Sequence, residues 1–308
     1  MKVLISGATG SIGKELTVAL CKAGHAVAIV VRDHHKAKSI YFTADAVRSV
    51  VIITIGTPNW DEEVAAFSPE VVIHLASLLT SKDDMDIIPS LIESNITFGA
   101  QLLQALKPTN FKLFINTGTF AEYAYGGGEI NPSYLYAASK TAFHSIIKYY
   151  QELSDFKVFN VIPYTVYGQA DSQPKIIDII YKSFFEKKPV SMSGGMQVLD
   201  FVHIDDVVAF YCMLVDKYVT SKERWNDFHL GTGTGNTLRA VSKLMAAKLQ
   251  LSENINWGVL PYRARDTMHA VAPIAKMTNR FGWSPVIDLE TGIEKYLLRM
   301  SATKDTDL

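Results

Sequence analysis

The stretch YLYAASKTAF holds two side chains, Tyr136 and Lys140, whose types and spacing suit proton transfer. They stand four residues apart, so on a helix both side chains lie on one face. Tyrosine normally titrates near about pH 10, and a neighbouring ammonium and a bound cationic nicotinamide both stabilise the phenolate and lower that pKa. We therefore expect Tyr136 to pass a proton to or from a hydroxyl or a ketone, with Lys140 as its partner.

Spacing alone does not single out this pair. With 14 tyrosines in the chain, about one Tyr-x-x-x-Lys pair is expected by chance at ordinary lysine frequency, and Tyr218 with Lys222 forms a second one. Tyr136 follows the apolar run FKLFINTGTF after a short Gly-rich loop, whereas Tyr218 stands where an apolar helix gives way to the polar TSKER. We expect the second pair to lie on the surface without a catalytic role.

Three glycines, Gly7, Gly10 and Gly13, stand between the apolar run KVLIS and a helical pattern. In a dinucleotide-binding loop the first allows a tight turn, the second lets the backbone approach a pyrophosphate, and the third lets helix pack on strand. Helix N-terminal amides then hold phosphates without a basic side chain. The motif also fits a plain strand-to-helix turn, but its position after the first strand favours a cofactor loop. The loop residues assigned to the cofactor are Gly7, Thr9, Gly10, Ser11, Ile12 and Gly13.

The end of the second apolar run, AVAIVVRDHHK, bears on the choice of cofactor. An acid at this position binds the adenosine ribose of NAD, whereas an arginine accommodates the 2′-phosphate of NADP. Here Val31 stands where the acid is expected, and Arg32 follows it. We therefore expect NADP(H) to be preferred, with NAD(H) as the second choice. Two alternatives stay open: Arg32 belongs to a solvated basic loop, or Asp33 reaches the ribose after a small backbone shift.

Short apolar runs alternate with amphipathic helical patterns through the first half of the chain. The runs KVLIS, AVAIVV, SVVIITI, EVVIHLAS, FKLFINTG and KVFNVIPYTVYG are rich in β-branched residues and indicate buried parallel strands. The alternation predicts an α/β fold with a Rossmann-type doubly wound parallel sheet. A change of rhythm near Gly168 predicts a smaller C-terminal substrate lobe. We assign 1–165, with 201–232 returning to it, to a dinucleotide-binding domain, and 166–200 with 233–308 to the lobe.

The composition is that of an ordinary folded protein, with 48% hydrophobic and 20% charged residues. A formal net charge of −1 provides no broad field that recruits nucleic acid or an anionic membrane. The two cysteines, Cys21 and Cys212, fit a reducing compartment, and no apolar run approaches the roughly 18 residues of a membrane span. We expect a cytoplasmic protein that binds neither nucleic acid nor membrane.

Taken together, these motifs resemble the extended short-chain dehydrogenase/reductase family, in the branch that modifies nucleotide-bound sugars. The resemblance runs nearly from end to end, through GATGSIG, HLAS, NITFGAQLLQA, NTGTFAEY and YAASK in the first half of the chain. In the second half, VIPYTVYG, LDFVHIDDV and PYRARD are similar to the segments that line the sugar nucleotide in that family. The motifs are specific for fold and general chemistry, and less specific for substrate.

The resemblance implies a role for each matching position. Thr119 would hydrogen-bond the sugar oxygen that becomes a ketone, Tyr136 would be the acid/base, and Lys140 would orient the nicotinamide ribose and lower the pKa of the tyrosine. Asn95 would sustain a water contact of the lysine. Further cofactor contacts would come from Leu75, Ala76, Asn95, Tyr136, Lys140 and Pro163. Substrate contacts would come from Tyr123, Thr165, Lys175, Leu199, Arg263 and Asp266.

Three of the residues assigned to the substrate, Arg263, Asp266 and Tyr123, have structural alternatives. Arg263 and Asp266 form an Arg-x-x-Asp pattern that would bind the diphosphate and the nucleoside ribose, but a helix-capping ion pair has the same spacing. Tyr123, like Tyr125, fits core packing as well as sugar binding. His203, Asp205 and Asp206 together have the residue types of a metal site, although the family match makes them a strand end and a helix start. We expect no metal.

Departures from the family pattern narrow the reaction. The 4,6-dehydratase branch carries an Asp-Glu pair after the catalytic threonine, and here Phe120 and Ala121 occupy those positions. Many epimerases have an asparagine and an arginine where this chain has Thr165 and Leu199. The segment QPKIIDII…MSGGMQVLDFVHIDDV instead resembles reductases that form 3,6-dideoxyhexoses.

With Arg32, these departures favour NADPH-dependent reduction of the 4-keto group of a CDP- or TDP-linked 4-keto-6-deoxyhexose. A nucleotide-sugar 4-epimerase, a non-catalytic dinucleotide sensor and a reductase of a non-nucleotide carbonyl remain alternatives. The resemblance also implies a homodimer through the helices that carry Asn95 and Tyr136.

Overall fold

The computed structural model describes residues 1–41, 49–123, 128–169, 174–217 and 222–306. The chain forms two compact units. The first unit comprises Met1–Glu122, Tyr134–Ile162 and Val208–Phe228. The second unit comprises Tyr123–Ser133, Pro163–Val207 and His229–Leu308.

Thirteen strands lie within the described residues. They are β1 (Lys2–Ser6), β2 (Ala26–Val31), β3 (Val51–Thr54), β4 (Val71–His74), β5 (Leu113–Thr117), β6 (Lys157–Pro163), β7 (Thr165–Tyr167), β8 (Val190–Met192), β9 (Val198–His203), β10 (Trp225–Leu230), β11 (Gly235–Thr237), β12 (Ile255–Trp257) and β13 (His269–Ala270).

Eleven α-helices are described as well. They are α1 (Ser11–Lys22), α2 (His34–Tyr41), α3 (Trp60–Phe67), α4 (Ile87–Ile92), α5 (Phe98–Leu106), α6 (Leu135–Leu153), α7 (Ile176–Ser183), α8 (Ile204–Lys217), α9 (Leu238–Leu249), α10 (Ala275–Phe281) and α11 (Leu289–Thr306). A π-helical turn, Glu93–Thr97, joins α4 to α5, and a 3-10 turn, Phe120–Glu122, follows β5. No helix in the described ranges is long and apolar enough to cross a membrane.

A seven-stranded sheet organises the first unit, in the order β10-β6-β5-β4-β1-β2-β3. The pairs from β6 to β3 are all parallel. Strands that are buried on both faces need continuous apolar runs, which is why VVIH and LFINT are buried at every residue. The predicted doubly wound parallel sheet is confirmed. Strand order reverses between β1 and β4, and ligands of such sheets bind outside the carboxyl ends of the strands at that point.

Each unit has its own apolar core. In the first unit, Leu4, Val72 and Phe114 from the sheet pack with Leu102 of α5 and Phe143 of α6. In the second unit the core is aromatic and aliphatic, formed by residues such as Tyr167, Phe201, Val241, Ile293 and Tyr296.

The second unit contains a four-stranded sheet in which β9 pairs with β7, β11 and β13. The run KVFNVIPYTVYG, expected as one strand, therefore forms two, because β7 leaves β6 to pair with Phe201–His203 of β9. Of 201–232, which the sequence assigns to the dinucleotide-binding domain, 201–207 and 229–232 group with the second unit and 208–228 with the first. A two-stranded sheet, β8 with β12, completes this unit.

Candidate active site

The glycine loop is tightly packed against its neighbours at Gly7 and Gly13 and is open to a ligand at Gly10. Gly7 has φ +75°, and a Cβ there would lie 2.5 Å from the amide nitrogen of Ala76. A Cβ on Gly13 would lie 2.3 Å from the carbonyl oxygen of Gly7. A Cβ on Gly10 would meet only that same oxygen, at 3.3 Å, so its outer side is free for a ligand. The cradle fits a dinucleotide phosphate at the N-terminus of α1.

The structure brings the predicted cofactor residues of two loops together. Leu75 donates its N–H to the carbonyl of Ser6 at 3.1 Å, which places the loop after β4 beside the loop after β1. Thr9, Ser11 and Ile12 are half-buried in the first loop. Both loops lie at the reversal of strand order, where the fold places its ligand site.

At the end of β2, Arg32 and Asp33 have different environments. Arg32 is exposed. Asp33 instead caps α2, since its Oδ1 accepts the N–H of Lys36 at 2.9 Å and its carbonyl accepts the N–H of Ala37 at 3.1 Å. A capping carboxylate satisfies amides that the first turn of the helix leaves unpaired. A shift of Asp33 toward a ribose would break these bonds.

Tyr136, Thr119 and Ser77 meet at the carboxyl edge of the sheet in the first unit. Tyr136 is in the first turn of α6 and is 7% exposed, and Thr119 follows β5 and is 8% exposed. The phenol is hydrogen-bonded to the side chains of both Thr119 and Ser77. Two hydroxyls therefore fix the ring whose oxygen is predicted to handle the proton.

Lys140 lies one turn further along the same helix and is almost fully buried. Its Nζ donates to the carbonyl oxygen of Thr117 at 2.9 Å. Burial lowers the pKa of Lys140 to about 8, while the carboxylate of Glu122 opposes that shift. The lysine thus has one fixed hydrogen bond and two further donors.

The pKa of Tyr136 is set mainly by burial. Burial raises it to about 12, and the hydrogen bonds from Ser77 and Thr119 offset this only in part. In the protein alone, desolvation of a phenolate outweighs these contacts. The lowering expected from Lys140 together with a bound nicotinamide stays a prediction. At neutral pH Tyr136 is a phenol that can donate a proton.

Asn95 is buried in the π-helical turn and connects two elements of the site. Its Oδ1 accepts the N–H of Leu78 at 2.7 Å, and its Nδ2 donates to the Leu78 carbonyl and to Ser139 Oγ, at 3.3 and 2.9 Å. The side-chain amide is thus committed to the β4 loop and to α6. A water contact between Lys140 and Asn95, through the backbone or the side chain of the asparagine, stays a prediction.

Residues predicted to bind the substrate lie in the second unit, as does Pro163, a predicted cofactor contact at the end of β6. Thr165 begins β7, and Lys175 stands before α7, where its N–H donates to Asp178. Tyr123 packs its ring 5.0 Å from that of His229, so it has the core contact that the sequence left open. Leu199 pairs with Asn236 and Ala270 in the sheet of β9.

Arg263 and Asp266 lie in an irregular segment between β12 and β13. The helix-capping alternative for this pair is wrong, because no helix begins or ends there. Asp266 donates its N–H to the carbonyl of Arg263 at 3.1 Å, which forms a turn. One carboxylate oxygen of Asp266 accepts Nε2 of Gln197 at 3.1 Å, two residues before Leu199 on the chain.

Three residues of the site were not predicted from the sequence: Ser77, Glu122 and Gln197. Ser77 is the last residue of the HLAS motif, and its position after β4 was the available signal. Glu122 lies in NTGTFAEY, three residues after Thr119, where an acid among apolar residues was the signal. Gln197 gave no signal, since only the folded chain brings it to Asp266.

Other predictions fall outside these contacts. Tyr125 and Tyr218 lie outside the described residues. Across the described ranges, no group of three or more His, Cys, Asp or Glu side chains is arranged to hold a metal ion. His74 is a buried strand histidine with Nδ1 2.8 Å from Ser6 Oγ.

A family model and several known proteins are similar to this chain. The model of the NAD dependent epimerase/dehydratase family matches residues 3–229. CDP-abequose synthase of Salmonella typhimurium is 29% identical over 311 residues, covering 97% of this chain and 98% of that protein. UDP-glucose 4-epimerase of Mycolicibacterium smegmatis is 24% identical, covering 96% of this chain and 97% of that protein.

Solved structures show the same fold. A UDP-glucuronic acid 4-epimerase from Bacillus cereus, in complex with UDP-glucuronic acid and NAD, has a TM-score of 0.85 at 21% identity. That alignment covers 98% of this chain and all of the other. MoeE5 in complex with UDP-glucose and NAD has a TM-score of 0.84 at 20% identity, covering 99% of this chain and all of the other.

Proposed function

The chain belongs to the NAD dependent epimerase/dehydratase family, and we propose that it reduces the 4-keto group of a nucleotide-linked 4-keto-6-deoxyhexose with NADPH. It is an NAD(P)-dependent enzyme of the extended short-chain dehydrogenase/reductase type. The proposed substrates carry CDP or TDP, and the product is the 4-hydroxy sugar.

In this reaction the residues of the first unit bind, orient and transfer a proton. NADPH, when bound, supplies the hydride that reaches C4. The loop of Gly7, Gly10 and Gly13 holds the diphosphate of the cofactor, and Lys140 orients its nicotinamide ribose. Thr119 donates a hydrogen bond to the keto oxygen, and Tyr136 gives that oxygen its phenolic proton as negative charge develops.

The arrangement of Arg32 and Asp33 carries the preference for a reductase. An exposed arginine at the end of β2 suits the 2′-phosphate of NADPH, while Asp33 is committed to capping α2. A reductase must exchange its cofactor in each cycle, because the hydride leaves with the product. An epimerase returns the hydride and has no need of NADPH.

Two further observations bear on the reaction. The pKa of Tyr136, raised to about 12, keeps the phenol protonated at neutral pH, which suits a proton donor in a reductase and in an epimerase alike. Phe120 and Ala121 occupy the positions of the acid and base that dehydratases use. The chain thus lacks the groups for removing water from C5 and C6.

The substrate class rests on the relatives and on the second unit. The similarity to CDP-abequose synthase extends over nearly the whole of both chains. Arg263 is proposed to bind the diphosphate, and Asp266, held by Gln197, to accept the nucleoside ribose hydroxyls. Leu199 stands where many epimerases have an arginine clamp. Substrate binding in this proposal therefore depends more on the remaining contacts, from Tyr123, Thr165 and Lys175.

The stoichiometry of NADPH oxidation tests the proposal. CDP- and TDP-linked 4-keto-6-deoxyhexoses are incubated with the protein and NADPH, and absorbance at the NADPH band is followed together with product by chromatography. One NADPH oxidised per 4-hydroxy sugar formed is the expected result. No oxidation with any keto sugar, alongside isomerisation of a UDP-hexose, replaces the reductase with an epimerase.

A 4-epimerase is the second candidate, favoured by the similarity to UDP-glucose 4-epimerase of Mycolicibacterium smegmatis. Thr119, Tyr136 and Lys140 serve an epimerase equally well, so only the fate of the hydride distinguishes the two reactions. A non-catalytic dinucleotide sensor is a third candidate, and the intact trio argues against it. We also keep as proposals a cytoplasmic location and a homodimer through the helices of Asn95 and Tyr136.

A further inference from the structure

We propose that Glu122 is a positioning residue that fixes the Thr119 segment against the catalytic helix α6 and whose buried carboxylate interacts electrostatically with the Lys140 ammonium. The inference rests on the proposed function only in taking Thr119 and Lys140 as working groups. Neither the family resemblance nor the proposed mechanism gives this side chain a role.

The geometry of Glu122 is that of a bridge. The side chain is completely buried. Oε1 accepts the N–H of Thr119 at 2.8 Å, and Oε2 accepts the hydroxyl of Thr141 at 2.9 Å. Thr141 directly follows Lys140 on α6, so one carboxylate joins the segment after β5 to the helix of the acid/base. Nε2 of His144, one turn further along, lies 3.5 Å from Oε2.

The backbone leaves room for this carboxylate. A Cβ on Gly118 would lie 2.6 Å from Glu122 Oε1, closer than real Cβ contacts allow. Gly118 also donates its N–H to the carbonyl of Val161 at 2.7 Å, so this backbone is itself held in place. The two residues therefore fit together: because Gly118 has no side chain, the carboxylate of Glu122 can occupy the space beside it.

Several charged or titratable groups face the carboxylate. They are Tyr136, Lys140 and His144 on α6, and Asp227 on β10. Burial and, to a smaller degree, Asp227 raise the pKa of Glu122 to about 7, against the hydrogen bonds and Lys140, which lower it. Burial lowers the pKa of His144 to about 4, so that ring is neutral.

The carboxylate supports the charge of the lysine. Burial lowers the pKa of Lys140 to about 8, and Glu122 is the group that raises it. An anion beside a buried ammonium favours the charged form, and removing that anion lets the ammonium lose its proton at a lower pH. Below about pH 7 the carboxyl is neutral, so its effect belongs to neutral and alkaline conditions.

Two variants separate position from charge. Glu122→Gln keeps the length of the side chain and an acceptor for Thr119 N–H, but has no charge. Glu122→Asp keeps the charge but is one methylene short of its partners. Glu152→Gln, an exposed carboxylate on the same helix, is the matched control. Thermal unfolding of each variant identifies any that fails to fold.

NADPH affinity is measured by fluorescence from pH 6 to 9.5 without any sugar, and kcat/KM over the same range with the keto sugar. In Glu122→Gln we expect the alkaline loss of both to begin about 0.5–1 pH unit lower. In Glu122→Asp we expect the alkaline loss to begin at the same pH as in the unchanged protein. We expect kcat to be lower by about tenfold or more at every pH, because Thr119 is displaced.

Superimposable alkaline limbs for Glu122→Gln and the unchanged protein overturn the electrostatic part, and unchanged kcat in Glu122→Asp overturns the positioning part. If Glu122→Gln does not fold, the kcat of Glu122→Asp still decides the positioning role. A shifted NADPH limb without reduction of any keto sugar supports the role of Glu122 and rejects the proposed function instead.

Discussion

Tyr136 is a buried phenol whose surroundings favour the protonated form. Its two hydrogen bonds come from hydroxyl groups, which hold the ring in place without supplying charge. In the proposed reaction it donates a proton to an oxygen that becomes more basic as a hydride arrives. The sequence predicts Tyr136 with Thr119 and Lys140 as a catalytic group but not the raised pKa of Tyr136 in the protein alone, because burial depends on elements far apart in the chain.

Tyr136→Phe removes one oxygen and leaves the packing of the ring in place. We expect turnover to fall by about 10²–10⁴, the usual contribution of a positioned acid/base group, with NADPH affinity nearly unchanged. Tyr149→Phe is the control, since Tyr149 is on the same helix with its ring largely in solvent. Equal turnover in the two variants, measured by NADPH oxidation, would show that another group donates the proton.

Arg32→Ala tests the choice of cofactor. A charge-assisted contact with the 2′-phosphate strengthens binding by about tenfold or more, so the unchanged protein should bind NADPH more tightly than NADH and the variant should lose most of that difference. Calorimetric titration with both cofactors gives the comparison. Lys38→Ala on α2 is the control, expected to keep the preference, and equal affinities in the unchanged protein would refute the role of Arg32.

At the scale of elements, Asn95 holds the loop after β4 and the helix α6 at a fixed separation. Its amide bonds both backbone groups of Leu78 and the hydroxyl of Ser139. Ser77 stands next to Leu78, so the same contact helps to place the hydroxyl that bonds Tyr136. A polar side chain buried at the π-helical turn thus aligns two of the elements on which the site is built.

Asn95→Ala leaves both backbone groups of Leu78 without their side-chain partner, and the Ser139 hydroxyl keeps only its bond to the Tyr136 carbonyl. Each such loss costs about 1–3 kcal/mol, so we expect the free energy of unfolding to fall by about that amount, with a parallel loss of turnover. Denaturant unfolding measures the first and NADPH oxidation the second. Asn110→Ala, at an exposed site, should change neither; an Asn95 variant as stable as this control would mean that water replaces the amide.

The elements of the first unit were predictable because their signals are local. Glycine spacing and apolar runs reflect tight turns and strands buried on both faces, and these predict β1, α1, β2 and β4 correctly. The division of KVFNVIPYTVYG was not predictable, since both pieces are equally apolar and only the pairing of β7 with β9 separates them. The contact of Glu122 with Thr141 and that of Gln197 with Asp266 join residues far apart in the chain, which no local sequence pattern encodes.

At the scale of the whole molecule, burial of histidine makes stability depend on pH. His74 is enclosed by Phe98, Phe114 and Phe143, and burial lowers its pKa to about 3. The unfolded chain binds a proton at this residue near its ordinary pKa of about 6.5, and the native state does not. Between those two values the unfolded state therefore gains protons relative to the native state, and stability is lost as the pH falls.

His74→Gln should remove this contribution. Between pH 6 and 4 we expect the free energy of unfolding of the unchanged protein to fall more steeply than that of the variant, by about 1.4 kcal/mol per pH unit for one proton. Denaturant unfolding at several pH values gives both slopes. His269→Gln, at an exposed site, should keep the original slope, and parallel slopes for His74→Gln would mean that the ring is protonated in the folded state.

The fit of Glu122 into the space beside Gly118 also constrains how the sequence can evolve. A side chain at 118 collides with the carboxylate while Glu122 is present, whereas a small apolar residue at 122 would remove the obstruction. We therefore expect the two positions to be coupled, because a residue larger than glycine at 118 requires the Glu122 carboxylate to move or to be replaced. Among related sequences, an acid at 122 should occur together with glycine at 118, and a larger residue at 118 only where the acid has been replaced.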